Sequence, residues 1–474
     1  MDKIKEKKQS LLSGTIVYFI GNVLTQFISL LLLKCITGNI STEAYGYFNL
    51  VVTIDNLITP IFTLQISDAV FRFMIKSKTV EEKKQYYSSA VMVIILGAVA
   101  ICAIILISSV FIDIPYPGLV TLYVISTNMF GFQQRVARAQ GKNKQYVASN
   151  LIKTVVYILL QVLFIVSLKM GVAGLFLANI ISTFACIGIL SVGIKSYILF
   201  DFQTIKKYAL KQMIGFSAPL IPNTAVWWLQ SSVNSIVIST VLGIGANGIY
   251  TVSNKFSAIL NLVISVFSLA WQESAIKEYG TPEYVQLATE SFNTYSMLLF
   301  SGVAALIPAM KILIPYLIDS SYYDAIQYAP FLLYSTALSA FSGFFASIIT
   351  AKNQNKKLLS TNCLGAVCNI TTVILFIKVI GIWSIVVSAV VSNIILAISR
   401  YKEVEDIIER KCVNVAEIVI PLLLGIINGF AYFIGSNLMN ALMFVITAII
   451  AIIMNRKFIS EFFDLLKNKI AKKG

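Results

Sequence analysis

Apolar runs of about 20 residues recur along this chain and limit the folds that it can adopt, because each is long enough to span a bilayer as an α-helix. A backbone in lipid has to satisfy its hydrogen bonds internally, and a helix does so within one segment. Hydrophobic residues make up 57% of the 474 positions. Charged residues make up 12%, whereas soluble domains contain about 25%. The chain is therefore predicted to be an all-α polytopic membrane protein.

The apolar runs predict about fourteen spans, joined by connections too short for an extramembrane domain. Their approximate bounds are 11–35, 44–68, 87–111, 117–137, 146–168, 171–194, 214–241, 244–270, 287–310, 323–349, 357–377, 381–399, 415–435 and 438–455. The first run lacks a clear cleavage site after it, and we interpret it as a retained helix rather than a signal peptide.

The distribution of lysine and arginine predicts the orientation, because these residues accumulate in cytoplasmic loops. With the N-terminus inside, 31 of the 37 basic residues fall in inside segments. Both termini are therefore predicted to be cytoplasmic, in a bacterial plasma (inner) membrane. The same bias, together with attraction to anionic lipid, accounts for the net charge of +15, so no nucleic-acid partner is expected.

The reactive side chains favour a protein that is not an enzyme. The sequence contains no histidine, and its six cysteines form no closely spaced pair of the kind that binds metals. Catalytic serine or cysteine sites commonly need a histidine base. We therefore expect no cofactor, no metal and no catalytic residue.

Weak internal similarity divides the chain into two halves. Residues 13–60 align with 215–262 at an offset of 202, which pairs Gly46 with Gly248, and Gly171 pairs with Gly381 at an offset of 210. Each half would hold six spans, and an even number makes the repeats parallel in topology. The predicted domains are an N-lobe at 1–200, a C-lobe at 201–412, and two further spans with a basic tail at 413–474. A central cavity is expected between the lobes.

Polar side chains recur on one face of several predicted spans, at the spacing i, i+4 and i+7. They are Asn223, Trp227, Gln230 and Asn234 in span 7, Asn22 and Gln26 in span 1, and Asn254 in span 8. Polar groups avoid lipid, so these stripes face either a packed bundle, where they bond between helices, or a watery cavity. Matching stripes in spans 1 and 7 favour the cavity.

Two charged residues, Asp55 and Lys255, lie deep in spans 2 and 8. Under the repeat, Asp55 aligns with Ser257, so the two charges occupy similar depths. Charges at such depth are costly, and they mark either a binding site or an ion pair between the two. Four more cations lie nearer the inner ends of their spans: Arg72, Arg135, Arg138 and Lys153. The three arginines either follow the inside rule or form a cationic cavity mouth, since arginine suits phosphate. Lys153 lies two turns into span 5 from the inside.

Together these features resemble the polysaccharide flippases of the MATE-like MOP superfamily, in the Wzx or polysaccharide-transporter branch. The resemblance rests on the two six-span halves plus two spans, on the run SAPLIPNTAVWWLQSSVNSIVISTVLGIGANGIYTVSNKFSAI and on the turn RAQGKNKQYVASN. It covers nearly the whole chain, and its motifs are diffuse.

The resemblance implies a flippase that moves undecaprenyl-diphosphate-linked repeat units of O-antigen, capsule or exopolysaccharide to the outer leaflet by alternating access. It implies a polyprenyl-diphosphate-linked oligosaccharide as substrate, H⁺ or Na⁺ as a coupling ion, and a monomer. Lys255 would then contact the pyrophosphate or an acidic sugar. The alternatives are a MATE-type multidrug or cation exporter, a lipid II-type flippase and, less favoured, a membrane polysaccharide polymerase.

Overall fold

The structure is a computed structural model, and it describes residues 32–352, 354–408, 415–456 and 460. All the regular secondary structure of these residues is helical. The helices of the first half are α1 (Leu33–Thr37), α2 (Thr42–Phe62), α3 (Ile66–Lys76), α4 (Val80–Phe111), α5 (Pro117–Ala139), α6 (Asn143–Gln161), α7 (Gly171–Ile194), α8 (Lys207–Ser217) and α9 (Ile221–Val241). Those of the second half are α10 (Ile244–Lys277), α11 (Tyr284–Leu317), α12 (Ala325–Ala351), α13 (Asn355–Ile380), α14 (Ile382–Ile408), α15 (Val415–Ile434) and α16 (Asn437–Met454).

Helices are found at each predicted span from the second to the last, which confirms the all-α polytopic fold. In the described part of the chain, eight helices are long and apolar enough to cross a membrane, or nine if α2 and α3 form one bent span. The first span, 11–35, lies almost entirely outside the described residues. The count of fourteen therefore stays a prediction.

By their packing, the described residues fall into two compact units, Met1–Gly248 (unit 1) and Ile249–Gly474 (unit 2). Helix α9 packs with unit 1: the indole Nε1 of Trp228 donates to the carbonyl of Thr53, 2.7 Å away, and Asn49 donates to Ser235 over 3.4 Å. The domain boundaries predicted after residues 200 and 412 come from the sequence repeat rather than from packing, and they stay predictions.

Unit 1 has its main core where α3, α4, α5, α7 and α8 meet. The buried side chains there include Ile66, Met74, Phe132 and Leu190. A second cluster lies around the buried ring of Phe176, which packs edge-on against Phe48 and Tyr123. These apolar contacts fix α3 and α5 side by side, and the candidate site lies between those two helices.

The glycines paired by the repeat, Gly46 and Gly248, contact each other in unit 1. A Cβ atom on Gly46 would collide with the carbonyl of Ile244, and one on Gly248 would collide with the carbonyl of Thr42. The side-chain amide of Asn247 donates to the carbonyl of Gly46 over 3.1 Å. Small residues allow such close approach of helices, and here the two repeat-related turns meet backbone to backbone.

Unit 2 is built around stacked aromatic rings and one buried arginine. Trp271 stacks on Phe344 with ring centroids 4.2 Å apart, and Phe267 stacks on Tyr295 at 3.9 Å. Arg400 of α14 is only 6% exposed. Its guanidinium donates to the Ser342 carbonyl at 2.8 Å, to the Thr361 hydroxyl at 3.3 Å and to the Asn362 amide oxygen at 2.5 Å. One side chain thus ties α12, α13 and α14 together.

Candidate functional site: a polar cavity at a broken helix

The segment predicted as one span at 44–68 is broken. Helices α2 and α3 meet at an angle of 55°. Pro60 has no amide to donate within the last turn of α2, and Leu64 and Gln65 adopt left-handed conformations with φ of 51° and 50°. Such conformations are costly for residues with a side chain and persist only where neighbours support them. The break frees polar groups in a region of apolar helices.

A cavity of about 320 Å³ opens at this break, between the α2–α3 pair and α5. Its polar lining includes Asp55, Asn56, Thr59, Gln65, Ser67, Asp68, Thr127, Asn128 and Arg135. Broken helices that line a cavity are typical of transporter binding sites, because the interrupted backbone can face water rather than lipid.

Asp55 lies at one end of this cavity with a side chain that is 8% exposed. The hydroxyl of Thr59, one turn further along α2, donates to Oδ1 at 2.6 Å. The hydroxyl of Thr127 on α5 donates to Oδ2 at 3.0 Å. Both carboxylate oxygens are therefore held by neutral donors, which position the group without cancelling its charge.

A chain of hydrogen bonds crosses the other end of the cavity. The Gln65 amide donates to Asp68 at 2.9 Å and accepts from the Thr224 hydroxyl of α9 at 3.0 Å. Asp68 in turn pairs with Arg135 of α5 at 3.0 Å. These contacts hold the left-handed residue at the break from both sides. The described lining thus contains two carboxylates and one guanidinium.

Unit 2 contains a cavity of about 460 Å³ between α10 and α12, the helices at the repeat-equivalent spans 8 and 10. Its described lining includes Ser265, Ser268, Gln272, Gly343, Ala346, Ser347 and Thr350. These side chains are small or neutral and polar. Hydroxyl and amide groups both donate and accept hydrogen bonds, so this lining suits neutral hydroxylated groups.

Comparison with known proteins identifies the family. The family described as "Polysaccharide biosynthesis protein" matches residues 11–271, more than half of the chain. The chain belongs to this family. No curated protein matches the sequence.

Solved structures show which fold this family member has. It is similar to a lipid II flippase, MurJ, in an inward closed conformation, with a TM-score of 0.67 and 16% identity over 94% of this chain and 100% of that one. It is also similar to a variant of the Vibrio cholerae MATE transporter VcmN, with a TM-score of 0.56 and 16% identity over 86% and 98%. A multidrug resistance MATE transporter of the MOP superfamily gives 0.58 and 15% over 83% and 98%. The predicted membership of a polysaccharide-synthesis family is confirmed by the family match, and the predicted fold is confirmed by its likeness to the solved MurJ and MATE structures.

The structure brings together only some of the residues predicted for its site. Arg135 and Asp55 line the unit 1 cavity. Arg72, Arg138 and Lys153 are not among the described residues of its lining, and each lies over an aromatic ring. The distances to the ring centroids are 4.2 Å for Arg72 over Phe216, 5.1 Å for Arg138 over Phe71, and 4.7 Å for Lys153 over Phe130.

The polar stripes are described only in part. Asn22 and Gln26 lie outside the described residues, as do the side chains of Asn223, Trp227 and Gln230, whose backbones belong to α9. Asn234 is buried at 6% exposure in the packed part of α9, and it is a neighbour of Ser235, which bonds to α2. The cavity role of the stripes stays a prediction.

In unit 2, Asn254 and Lys255 lie on α10. The Asn254 amide donates to the Tyr250 carbonyl of its own helix at 3.3 Å. Lys255 is exposed among the described residues of its unit. Its predicted pairing with Asp55 and its predicted role toward a substrate both stay predictions.

The sequence reasoning missed the polar partners that complete the unit 1 cavity. Thr59 carried a usable signal, since it follows Asp55 by four positions on one helical face. Thr127 and Asn128 belong to a short polar run, Ser126–Asn128, in a mostly apolar stretch of α5, which also marks them. Gln65 carried none, because its role depends on the left-handed break rather than on any spacing.

Proposed function

We propose that this transporter is a flippase for polyprenyl-diphosphate-linked oligosaccharide repeat units, which it moves from the inner to the outer leaflet by alternating access. The family match supports the link to polysaccharide synthesis. The fold is shared with a protein described as a lipid II flippase, whose substrate is also lipid-linked. The repeat units would be those of O-antigen, capsule or exopolysaccharide.

The observation that carries the proposal is the broken α2–α3 helix with its polar cavity. At about 320 Å³ the cavity lies at the lower end of the range for small-molecule pockets, about 300–1,000 Å³. It therefore suits one sugar, or an ion with its water, rather than a whole repeat unit. The lipid tail would stay in the bilayer while the head group passes.

Asp55 is the residue that we propose for ion coupling. Its carboxylate is buried, lines the unit 1 cavity and is held by two neutral hydroxyls. A bound H⁺ or Na⁺ would neutralise it, and the hydroxyls of Thr59 and Thr127 would keep the oxygens in place in both states. Loading would thus change the charge beside the break in α2–α3, which is where the chain bends.

Lys255 is the residue that we propose for contact with the pyrophosphate or an acidic sugar. Its exposed ammonium on α10 can reach a ligand without first breaking a buried contact in unit 2. Lys255→Ala should abolish transport while the protein still folds. Lys255→Arg should keep part of it, since the charge remains and the geometry changes.

Complementation of a flippase-null strain with defined repeat units tests the proposal directly. The wild-type protein should restore surface polysaccharide for at least one repeat unit, and Asp55→Asn should not, at equal membrane abundance. Failure of the wild-type protein with every repeat unit tested, in a strain whose own flippase complements, would contradict it.

The second candidate, a cation exporter, is favoured by one observation: the described lining of the unit 1 cavity contains two carboxylates, Asp55 and Asp68, and one cation, Arg135. It predicts energy-dependent efflux of ethidium or similar cations. Lower accumulation of such a dye in expressing cells, without complementation, would select this function.

A flippase must collect its substrate on the inner side of the membrane. As part of the same proposal, we place both termini on that cytoplasmic side. A membrane-impermeant maleimide added to whole cells should label Ile244→Cys and spare Lys207→Cys; both side chains are exposed. The reverse pattern would invert the topology.

A further inference from the structure

The segment that joins α7 to α9, residues 195–217, combines a buried face with an exposed basic and aromatic face. We call it the connecting segment. It contains two short 3-10 helices, at Ser196–Leu199 and Phe202–Thr204, followed by α8. Four lysines, Lys195, Lys206, Lys207 and Lys211, stand against a single acid, Asp201.

Its inner face is fixed on α4 by hydrogen bonds to Ser88. The Ser88 hydroxyl donates to the Leu199 carbonyl at 3.2 Å and accepts from the Asp201 amide at 2.9 Å. The Thr204 hydroxyl also lies 3.4 Å from it. Further along, Tyr86 of α4 donates to the side chain of Gln212 at 3.1 Å. The segment therefore keeps one orientation, and its other face points consistently away from the unit.

The outer face presents aromatic rings between the lysines. Tyr197 is 62% exposed, Phe202 65% and Tyr208 67%. A solvated connection would rarely carry three such rings. The segment begins directly after α7, an apolar candidate span that ends at Ile194, so it starts where a bilayer ends. Aromatic residues favour that boundary layer, and lysines favour anionic head groups.

We propose that the connecting segment docks on the surface of a bilayer that carries anionic head groups. The three rings enter the head-group layer and the four lysines face lipid phosphates. Charge complementarity selects the lipid surface over an acid-poor protein partner, since the segment has one acid and four bases. The inference is independent of the transported substrate.

The test uses full-length protein in nanodiscs, with its six cysteines replaced and bimane attached at Phe202→Cys. Lipids spin-labelled at the head group report contact by quenching. Quenching should be roughly threefold stronger in discs containing phosphatidylglycerol than in phosphatidylcholine alone, and 0.5 M salt should reduce the difference by screening, roughly to half. The triple variant Lys206→Gln, Lys207→Gln, Lys211→Gln should lose the difference.

A matched variant controls for net charge. Lys144, Lys352 and Lys356 are exposed and lie outside the segment, and their change to glutamine should leave the lipid dependence intact. Equal quenching in both lipids and in the triple variant would overturn the proposal. So would a label shielded from aqueous iodide but not quenched by lipid, which would indicate a protein partner or a second copy.

Discussion

The two units contain cavities at repeat-equivalent helices, and the cavities differ in both charge and backbone. In unit 1 the cavity lies where α2 and α3 break by 55°, and its lining includes Asp55, Asp68 and Arg135. The counterpart of the broken pair is α10, which runs unbroken for 34 residues, and the described lining of the unit 2 cavity is neutral. The repeat aligns Asp55 with Ser257 and Pro60 with Leu262. Under the predicted repeat, the charges and the bend therefore occur in the first half without a counterpart at the aligned positions of the second.

The difference suggests that the two cavities have different roles in transport, and variants of each cavity can test this. A charged group beside a flexible joint can convert ion binding into movement, because neutralising the charge changes the energy of the bent state. The hydroxyl and amide groups described beside the unbroken α10 offer hydrogen bonds without that response. Each test therefore compares a variant in unit 1 with a matched variant in unit 2.

The largest effect should come from Asp55→Asn, which removes the charge but keeps the size. Polysaccharide export, measured by complementation, should fall at least about tenfold, which corresponds to ~1.4 kcal/mol of lost driving interaction. Ser257→Ala, at the aligned position of unit 2, should leave export near the wild-type level. Equal losses of export in both variants would mean that the position along the helix, and not the charge, determines the effect on export.

The backbone difference predicts the next effect, on stability. Leu262→Pro would place the proline of unit 1 in the unbroken α10, where it removes a helix hydrogen bond at a cost of about 3 kcal/mol or more. Pro60→Ala should change stability by less than about 1 kcal/mol, since α2 already ends two residues later. Thermal unfolding in detergent measures both.

If Pro60→Ala straightens the joint, it should also slow transport while the protein stays folded. Normal transport by a Pro60→Ala protein would show that the left-handed residues alone maintain the break. If the Leu262→Pro protein is as stable as the wild type, α10 tolerates a proline as well as α2 does, and the proposed difference between the two helices is wrong.

Replacing Arg400 in unit 2 and replacing Arg135 in unit 1 should also have different effects on stability and on export. Arg400→Met removes the hydrogen bonds from the guanidinium to the buried Ser342 carbonyl and to the Asn362 amide oxygen, which should cost about 2 kcal/mol. Arg135 is 41% exposed at its side chain, and its pair with Asp68 should contribute no more than about 1 kcal/mol. Export should show the opposite order, with Arg135→Met the more defective per folded molecule. A larger loss of stability in Arg135→Met would contradict this division.

The sequence predicted the helices well because apolar runs define them directly. The span at 171–194 matches α7 at both ends, where Gly171 and Lys195 turn the chain with positive φ. It did not predict the break after Phe62. Pro60 suggested a kink, but the left-handed Gln65 is held by a hydrogen bond from Thr224, 159 positions away. Asp55 was found because a deep charge is conspicuous, whereas Thr127 depends on how α5 is rotated against α2, and a spacing rule carries no such information.

The smallest effect should follow the loss of one hydroxyl from the Asp55 site. Thr127→Val keeps the shape and removes the donor to Oδ2, which lies 3.0 Å away. One hydrogen bond contributes about 0.5–1.5 kcal/mol, so export should fall about threefold. Thr127→Ser should restore it, because serine keeps the hydroxyl. In unit 2, the described hydrogen bond of the Ser347 hydroxyl goes to the Gly343 carbonyl of its own helix. Ser347→Ala removes this hydroxyl and should not change the ion dependence of export. The decisive measurement is export against external Na⁺ and against pH: Thr127→Val should need more of the coupling ion for half-maximal export, and Ser347→Ala should not. A Thr127→Val protein with lower export but an unchanged ion requirement would show that the hydroxyl shapes the cavity without positioning Asp55 for its ion.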